Sequence, residues 1–328
     1  MNSGLVYGIE VLAGFAVSVA IGHAFVPYIK RLKIGQHIRG EGPRAHFKKA
    51  GTPTMGGVIF LLGTLVPAIA EGFFGLLGRD AWLAIGVFFA FGLIGFIDDW
   101  RKFRLGRSLG LRAREKMGLA ILAAAVFLYI WRTGGGSSDV IVPVINRVVH
   151  LGALYPVFGV LVMVGSSNAM NLTDGLDGLA AGVSAIGLAA LSRVALAKAA
   201  LNGAGGLEHL APTAIGAILG FLVYNRHPAK IFMGDTGSLA LGALLAAFGI
   251  LTKTELLLLF FAGVPVVETL SVIAQVISFQ LFGRRIFKMS PLHHHFELLG
   301  WPEVKVVRTF WLAQALLAAA GIWVMTLV

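Results

Sequence analysis

Residues 166 to 180 read SSNAMNLTDGLDGLA, with Asn168, Asn171, Asp174 and Asp177 at every third place between two apolar segments, 153–170 and 178–199. Each step of three on a 3.6-residue helix falls about 60° short of a full turn, so the ladder would sweep about half the circumference of a single helix. It therefore does not form one polar stripe. It reads as the end of one apolar helix, a glycine-containing turn and the start of the next. Asn168 and Asn171 then belong to the exit of the first helix, and Asp174 and Asp177 to the beginning of the second.

The rest of the chain repeats that unit. Of its 328 residues, 57% are hydrophobic and 13% charged, against about 25% charged in an ordinary soluble domain. The apolar runs are continuous instead of alternating, which selects spanning helices over a barrel. There is no cysteine, so disulfides and thiolate metal sites are excluded. The net charge of +11 comes from basic residues in short loops between apolar runs, a pattern of membrane topology and not of nucleic-acid binding. The first apolar stretch is not preceded by a basic region and contains Glu10, so it is expected to remain as a span.

Runs of about 17–25 mostly apolar residues mark spans. Ten occur, near 4–27, 55–71, 81–97, 117–133, 153–170, 178–199, 209–224, 237–252, 255–282 and 306–328. The expected fold is thus an all-α polytopic membrane protein, one integral membrane domain over 1–328 with both termini on the external, periplasmic side. Loops 28–54, 98–116, 171–177, 225–236 and 283–305, with Arg308 beside the last, hold 21 of the 27 lysines and arginines and are expected to be cytoplasmic. The external segment 134–152 suits a small hairpin. The ninth run contains Pro265 and Glu268, with Gln275 further along, and should be kinked or broken. No internal repeat supports an inverted-repeat transporter.

Polar chemistry gathers at the ends of these runs on the expected cytoplasmic face: Asp98 and Asp99 in GFIDDWRK, Asp174 and Asp177 in NLTDGLDG, and Asp235 in IFMGDTGS. An isolated carboxylate there is ordinarily a cap or a partner of a loop lysine, but five at one depth mark a site. Gathered carboxylates repel one another unless a cation neutralises them, and a hard divalent ion with oxygen ligands, Mg²⁺, is the expected solution. Such an ion keeps coordination places for phosphate oxygens, which implies a phosphorylated substrate. Lys48, Lys49, Arg101, Lys102, Arg104, Arg107, Arg112, Arg114 and Lys116 form a basic rim, much of it positive-inside bias; Lys49 and Lys102 lie closest to the motifs. GTPTMGG, 51–57, should leave backbone N–H groups and the hydroxyls of Thr52 and Thr54 open to an anion. In PLHHHFELLGW, 291–301, His293, His294 and His295 cannot share one helical face, so hydrogen bonding to a sugar or phosphate is expected in place of a closed metal site.

Together GTPTMGG, FIDDWRK, SSNAMNLTDGLDGLA, YNRHPAKIFMGDTGSLALG and PLHHHFELLGW resemble the motifs of the polyprenyl-phosphate N-acetylhexosamine-1-phosphate transferases, over residues 48 to 301. The histidine loop and the GTPTMGG motif are similar to the branch that handles muramoyl-pentapeptide. The resemblance implies transfer of phospho-N-acetylmuramoyl-pentapeptide from UDP-N-acetylmuramoyl-pentapeptide to undecaprenyl phosphate, giving lipid I and UMP. It also implies Mg²⁺ dependence, a homodimer and a cytoplasm-facing site in a bacterial plasma membrane. By the same resemblance Asp235 matches the principal Mg²⁺ ligand, and Asp98 and Asp99 the paired aspartates near the lipid phosphate. Asp177 with the Gly175 backbone matches part of a uridine pocket, and Phe232 an aromatic residue that stacks on uracil. Lys49, Thr54, Lys102, Asn168, Asn171, Asp174, Asn225, Gln275 and His293 to His295 match other polar positions. One family lysine aligns with either Arg114 or Lys116.

Three other readings remain at this point: a secondary transporter, an intramembrane aspartyl protease and a prenyltransferase with spaced aspartates. The first would place its carboxylates at the bilayer midplane, where only Glu268 is a candidate. The second would need a G-x-G-D signature whose first glycine position is occupied here by Phe232. The third would release pyrophosphate and not UMP.

Overall fold

The computed structural model describes residues 3–32, 51–107, 109–202 and 205–326. It is helical throughout apart from one small hairpin. The helices are α1 (Ser3–Arg31), α2 (Gly57–Phe73), α3 (Arg79–Leu105), α4 (Ala113–Thr133), α5 (Tyr155–Thr173), α6 (Leu179–Asn202), α7 (Leu207–Asn225), α8 (Gly234–Leu251), α9 (Leu258–Phe261), α10 (Gly263–Phe282), α11 (Leu292–Leu298) and α12 (Glu303–Met325). Among the described residues nine helices are long and apolar enough to cross a membrane, and α2, with 17 residues, is a shorter apolar helix. Nine of the ten runs read from the sequence fall on one helix each and the ninth on α9 and α10, and the chain is an all-α polytopic membrane protein.

The ninth run is broken as its proline suggested, but the break comes at Ala262, between α9 and α10. Pro265 sits in the first turn of α10, where a missing N–H removes no intrahelical bond. In an apolar medium the backbone groups freed by such a break need partners from a neighbour. Gln314 of α12, fully buried, supplies them: its Oε1 accepts from Val264 N at 3.0 Å and its Nε2 donates to Phe260 O at 3.1 Å and Phe261 O at 2.9 Å.

The segment 134–152 contains the expected hairpin, β1 (Asp139–Val142) antiparallel to β2 (Arg147–His150). It is tied to the bundle where Lys253 Nζ donates to Ser137 O at 3.1 Å, and Lys253 in turn pairs with Glu255 at 2.7 Å.

The centre of the bundle is α8, buried at every residue from Thr236 to Leu251 and enclosed by α2, α3, α5 and α6. Its sequence, GDTGSLALGALLAAFGIL, is dominated by small residues. Helices in lipid gain little from hiding apolar surface from one another, so close approach through small side chains supplies the attraction. Accordingly the outer helices leave large apolar residues exposed, such as Leu12 on α1, Leu122 on α4, Leu270 on α10 and Leu316 on α12. At the charged end α3 meets α8 so closely that a Cβ on Gly95 would lie 2.1 Å from Asp235 O. Backbone cannot rotate away from such a clash. Gly95→Ala is expected to destabilise the protein by about 1–3 kcal/mol, seen as a lower Tm in detergent. Gly86→Ala on the same helix, whose Cβ would meet nothing within 4 Å, should hold or raise Tm.

Candidate active site

Four helices bring polar groups to one end of the bundle. α3 contributes Asp98, Asp99 and Lys102 from its last two turns, α4 contributes Lys116 from its first, α5 contributes Asn171 from its last, and α8 contributes Asp235. The spacing of 98, 99 and 102 puts Lys102 one helical turn beyond both aspartates, so a single side chain reaches both. Its Nζ lies 2.6 Å from Asp98 Oδ2, 3.6 Å from Asp99 Oδ1 and 2.9 Å from Asp235 Oδ2. Lys116 Nζ reaches the same Asp235 oxygen at 2.6 Å, while Asn171 Nδ2 donates to Asp235 Oδ1 at 2.9 Å and to Ser238 Oγ at 2.8 Å. Arg114 is exposed, so of the two residues left open by the sequence the structure brings Lys116 to the cluster.

Asp99 is engaged differently. Both of its oxygens accept backbone N–H groups from the first turn of α8, Asp235 N at 3.2 Å and Thr236 N at 3.0 Å, and Oδ2 also accepts the Thr236 hydroxyl at 2.7 Å. It caps that helix from another element, satisfying donors that have no partner within it. Asp98 Oδ1 accepts Leu111 N at 2.7 Å and so anchors the α3–α4 connection. Carboxylate oxygens of Asp98, Asp99 and Asp235 lie within 4.8 Å of one another. An all-oxygen set of three carboxylates at this spacing suits a hard divalent cation, and Asp235 is the member presented to the lysines and not consumed by backbone.

The five aspartates do not converge on one point. Asp98, Asp99 and Asp235 form one group, Asp177 joins a second with His227 and Glu303, and Asp174 joins neither. The ladder does cross from helix to turn as the spacing required: α5 ends at Thr173, Gly178 lies at φ +79° and α6 begins at Leu179. Asn168 stays on α5, donating from Nδ2 to Val164 O at 2.8 Å.

Other expected binding residues are used by the fold itself. Asn225 is buried, accepting Gly178 N and donating to Ile231 O, each at 3.0 Å. Gln275 accepts Ile286 N at 2.9 Å and Phe287 N at 3.0 Å and donates to Phe287 O at 2.9 Å. His293 is buried with Nδ1 at 3.0 Å from Glu268, His294 pairs with Glu297 at 2.8 Å, and His295 Nδ1 accepts Lys288 N at 3.1 Å. The three histidines thus have three separate Nδ1 partners.

Two amides of GTPTMGG are engaged within the fold. Gly56 N donates to Phe232 O at 2.8 Å and Gly57 N to Met233 O at 2.9 Å, while Pro53 O accepts Phe232 N at 2.7 Å. These amides are therefore closed to an anion, and the motif acts as a short extended pairing that fixes Phe232 and the start of α8. Thr54 is buried beside Gly234, next to Asp99. Lys48 and Lys49 lie outside the described residues. Most of the remaining basic rim is solvent-facing; Arg101, for example, pairs with the exposed Glu115 at 3.4 Å. Sequence reasoning gave no site role to Thr236, His227 or Glu303, and read Glu268 as part of a span break and as the one midplane carboxylate a transporter would use. A carboxylate at 268 and a histidine at 293 signal a pair only once α10 and α11 are known to touch.

Residues 81–253 match the family model Glycosyl transferase family 4. Residues 49–61 match Phospho-N-acetylmuramoyl-pentapeptide-transferase signature 1. The chain is 46% identical over 326 residues to the phospho-N-acetylmuramoyl-pentapeptide-transferase of Oceanobacillus iheyensis, covering 96% of this chain and 97% of the relative. It is 47% identical to the proteins of that name from Bacillus licheniformis, over 96% of both chains, and Bacillus thuringiensis, over 97% of this chain and 98% of the relative. The chain belongs to the phospho-N-acetylmuramoyl-pentapeptide-transferase family.

Asp99→Asn would turn one buried acceptor into a donor facing an N–H group of α8. It is expected to cost about 1–3 kcal/mol of stability, the penalty of an unsatisfied buried donor. An unchanged Tm in detergent would remove the capping role.

Proposed function

We propose that this chain transfers phospho-N-acetylmuramoyl-pentapeptide from its UDP carrier to undecaprenyl phosphate, releasing lipid I and UMP, with Mg²⁺ as cofactor. The observation that carries this reading is Asp235, held between Lys102, Lys116 and Asn171 and beside Asp98, in a chain of this family. With all three carboxylates ionised, the two ammonium groups leave one negative charge unmatched, which favours a further cation. Mg²⁺ at Asp235 would act as a Lewis acid that withdraws charge from the pyrophosphate and the departing UMP.

The residues of the chain then have distinct tasks. An oxygen of the lipid phosphate attacks the β-phosphorus of the nucleotide sugar; the bond from that phosphorus to the bridging oxygen breaks, and the electron pair leaves with UMP. Asp98, oriented by Leu111 N and Lys102, takes up or holds the proton of the lipid phosphate. Lys102 and Lys116 attract the phosphates and stabilise the charge that builds on their oxygens. Phe232, half-buried and fixed by its pairing with Pro53 and Gly56, offers a ring for the uracil, since any flat base stacks on an aromatic face. Asn168, Asp174, His294 and Lys49 complete the substrate-binding set in this reading.

The site end of the bundle is assigned to the cytoplasm, with the termini periplasmic. In support, the connections meeting there carry most of the chain's basic residues. A bacterial plasma membrane location agrees with the bacterial relatives and the multi-pass fold. The reading includes one integral domain over 1–328 working as a homodimer, on the strength of the family resemblance.

Purified protein given UDP-N-acetylmuramoyl-pentapeptide and undecaprenyl phosphate is expected to release UMP with Mg²⁺ and to stop when the ion is chelated. It should leave UDP-N-acetylglucosamine untouched; solute transport without UMP, or pyrophosphate release, would replace this reading with one of its rivals. Asp98→Asn should lower kcat by about 10²–10⁴, the usual worth of a proton acceptor. A separate check needs no turnover. Lys102→Met is expected to lower Tm by removing a cation from three carboxylates, and added Mg²⁺ should restore more of that loss than Na⁺ of equal ionic strength.

A further inference from the structure

The side chain of Asp177 is buried, 2% exposed. Its Oδ2 accepts His227 Nδ1 and Ala229 N, both at 3.0 Å. Its own N–H donates to Glu303 Oε1 at 2.8 Å, and Glu303 Oε2 lies 3.3 Å from the same His227 nitrogen. His227 thus stands between two carboxylates that come from different parts of the chain, the α5–α6 turn and the first residue of α12. Its ring is 40% exposed, the most open member of the three.

The segment held by these contacts is the α7–α8 connection. Asn225 closes it on itself through Ile231 O, Lys230 N donates to Tyr224 O at 2.7 Å, and Asn225 also accepts Gly178 N from the α5–α6 turn. The next residue is Phe232, whose backbone pairs with Pro53 and Gly56, and Asp235 follows three positions on. From the other side the same turn is met by His293, which Glu268 holds: a Cβ at Gly175 would fall 2.1 Å from His293 Nε2. The turn 174–178 is therefore gripped by a histidine–carboxylate pair on each side.

We propose that His227 is a positioning residue for the nucleotide: with Glu303 it holds Asp177 as a latch that docks the 225–232 segment on the 174–178 turn and so sets where Phe232 meets the base. The proposal rests on the nucleotide reading of this site. Asp177, His227 and Glu303 also have the spacing of a cation site. The latch accounts for them without an ion, because His227 Nδ1 and Ala229 N both bond the same Asp177 oxygen.

The test compares His227→Leu, which removes the donor, with His227→Asn, whose side-chain amide places a donor close to the Nδ1 position. In His227→Leu, UMP binding measured by calorimetry and KM for the nucleotide sugar should each weaken about tenfold, the scale of one hydrogen bond to a charged group. The KM for undecaprenyl phosphate and the kcat should stay near wild type, and His227→Asn should recover most of the loss. Asp177→Asn should weaken UMP binding similarly, and the double variant should be far from additive. Wild-type UMP affinity in His227→Leu would overturn the proposal. So would an equal loss toward the lipid phosphate, or stoichiometric Zn²⁺ binding that the substitution abolishes. A wild-type protein that binds UMP yet turns over no nucleotide sugar would instead refute the activity, and the latch would still be read from UMP affinity.

Discussion

The first turn of α8 presents N–H groups that no residue within the helix can satisfy, and Asp99 takes two of them. That contact fixes the end of the most buried helix in the bundle to the end of α3, and with it the position of Asp235. It works only because the helices touch closely at Gly95 and because a negative group is favoured at a helix N-terminus. Every other charged contact of the site is arranged around the atoms so placed.

Charge balance is the second constraint. Three carboxylates buried at one point would be costly in a low-dielectric bundle, and Lys102 and Lys116 offset most of that cost by direct contact. Lys102 arises from the helical spacing after the paired aspartates, whereas Lys116 comes from the next helix and depends on Asp98 anchoring the connection through Leu111. The same arrangement keeps oxygens of all three carboxylates within 4.8 Å of one another, a spacing that could hold a cation.

Polar residues near the cluster divide into two kinds. Asp177, Asn225 and Gln275 bind backbone, and His293 binds Glu268, so that these side chains hold the loops; Asp98, Lys102, Lys116, Asn171 and Asp235 face one another across the site. Loops at a membrane surface have few apolar contacts to keep them in register, so side chains that bond to backbone take over that task. A residue type suited to ligand binding is equally suited to loop pinning, and only its partners tell the two apart.

The ten helical segments, the turn inside SSNAMNLTDGLDGLA, the hairpin and the break in the ninth span were legible from sequence because each rests on local properties: length of apolar run, glycine and proline placement, and spacing against a helical period. The grouping of Asp98, Asp99 and Lys102 was legible for the same reason. What the sequence left open was which distant groups meet. Lys116 over Arg114, Asp99 on the backbone of α8, Asp177 with His227 and Glu303, and the closing of the GTPTMGG amides on Phe232 and Met233 all join residues far apart in the chain. Those choices follow from how the helices pack, and the pattern of apolar and polar residues along one segment carries no record of the atoms that a neighbouring segment brings to it.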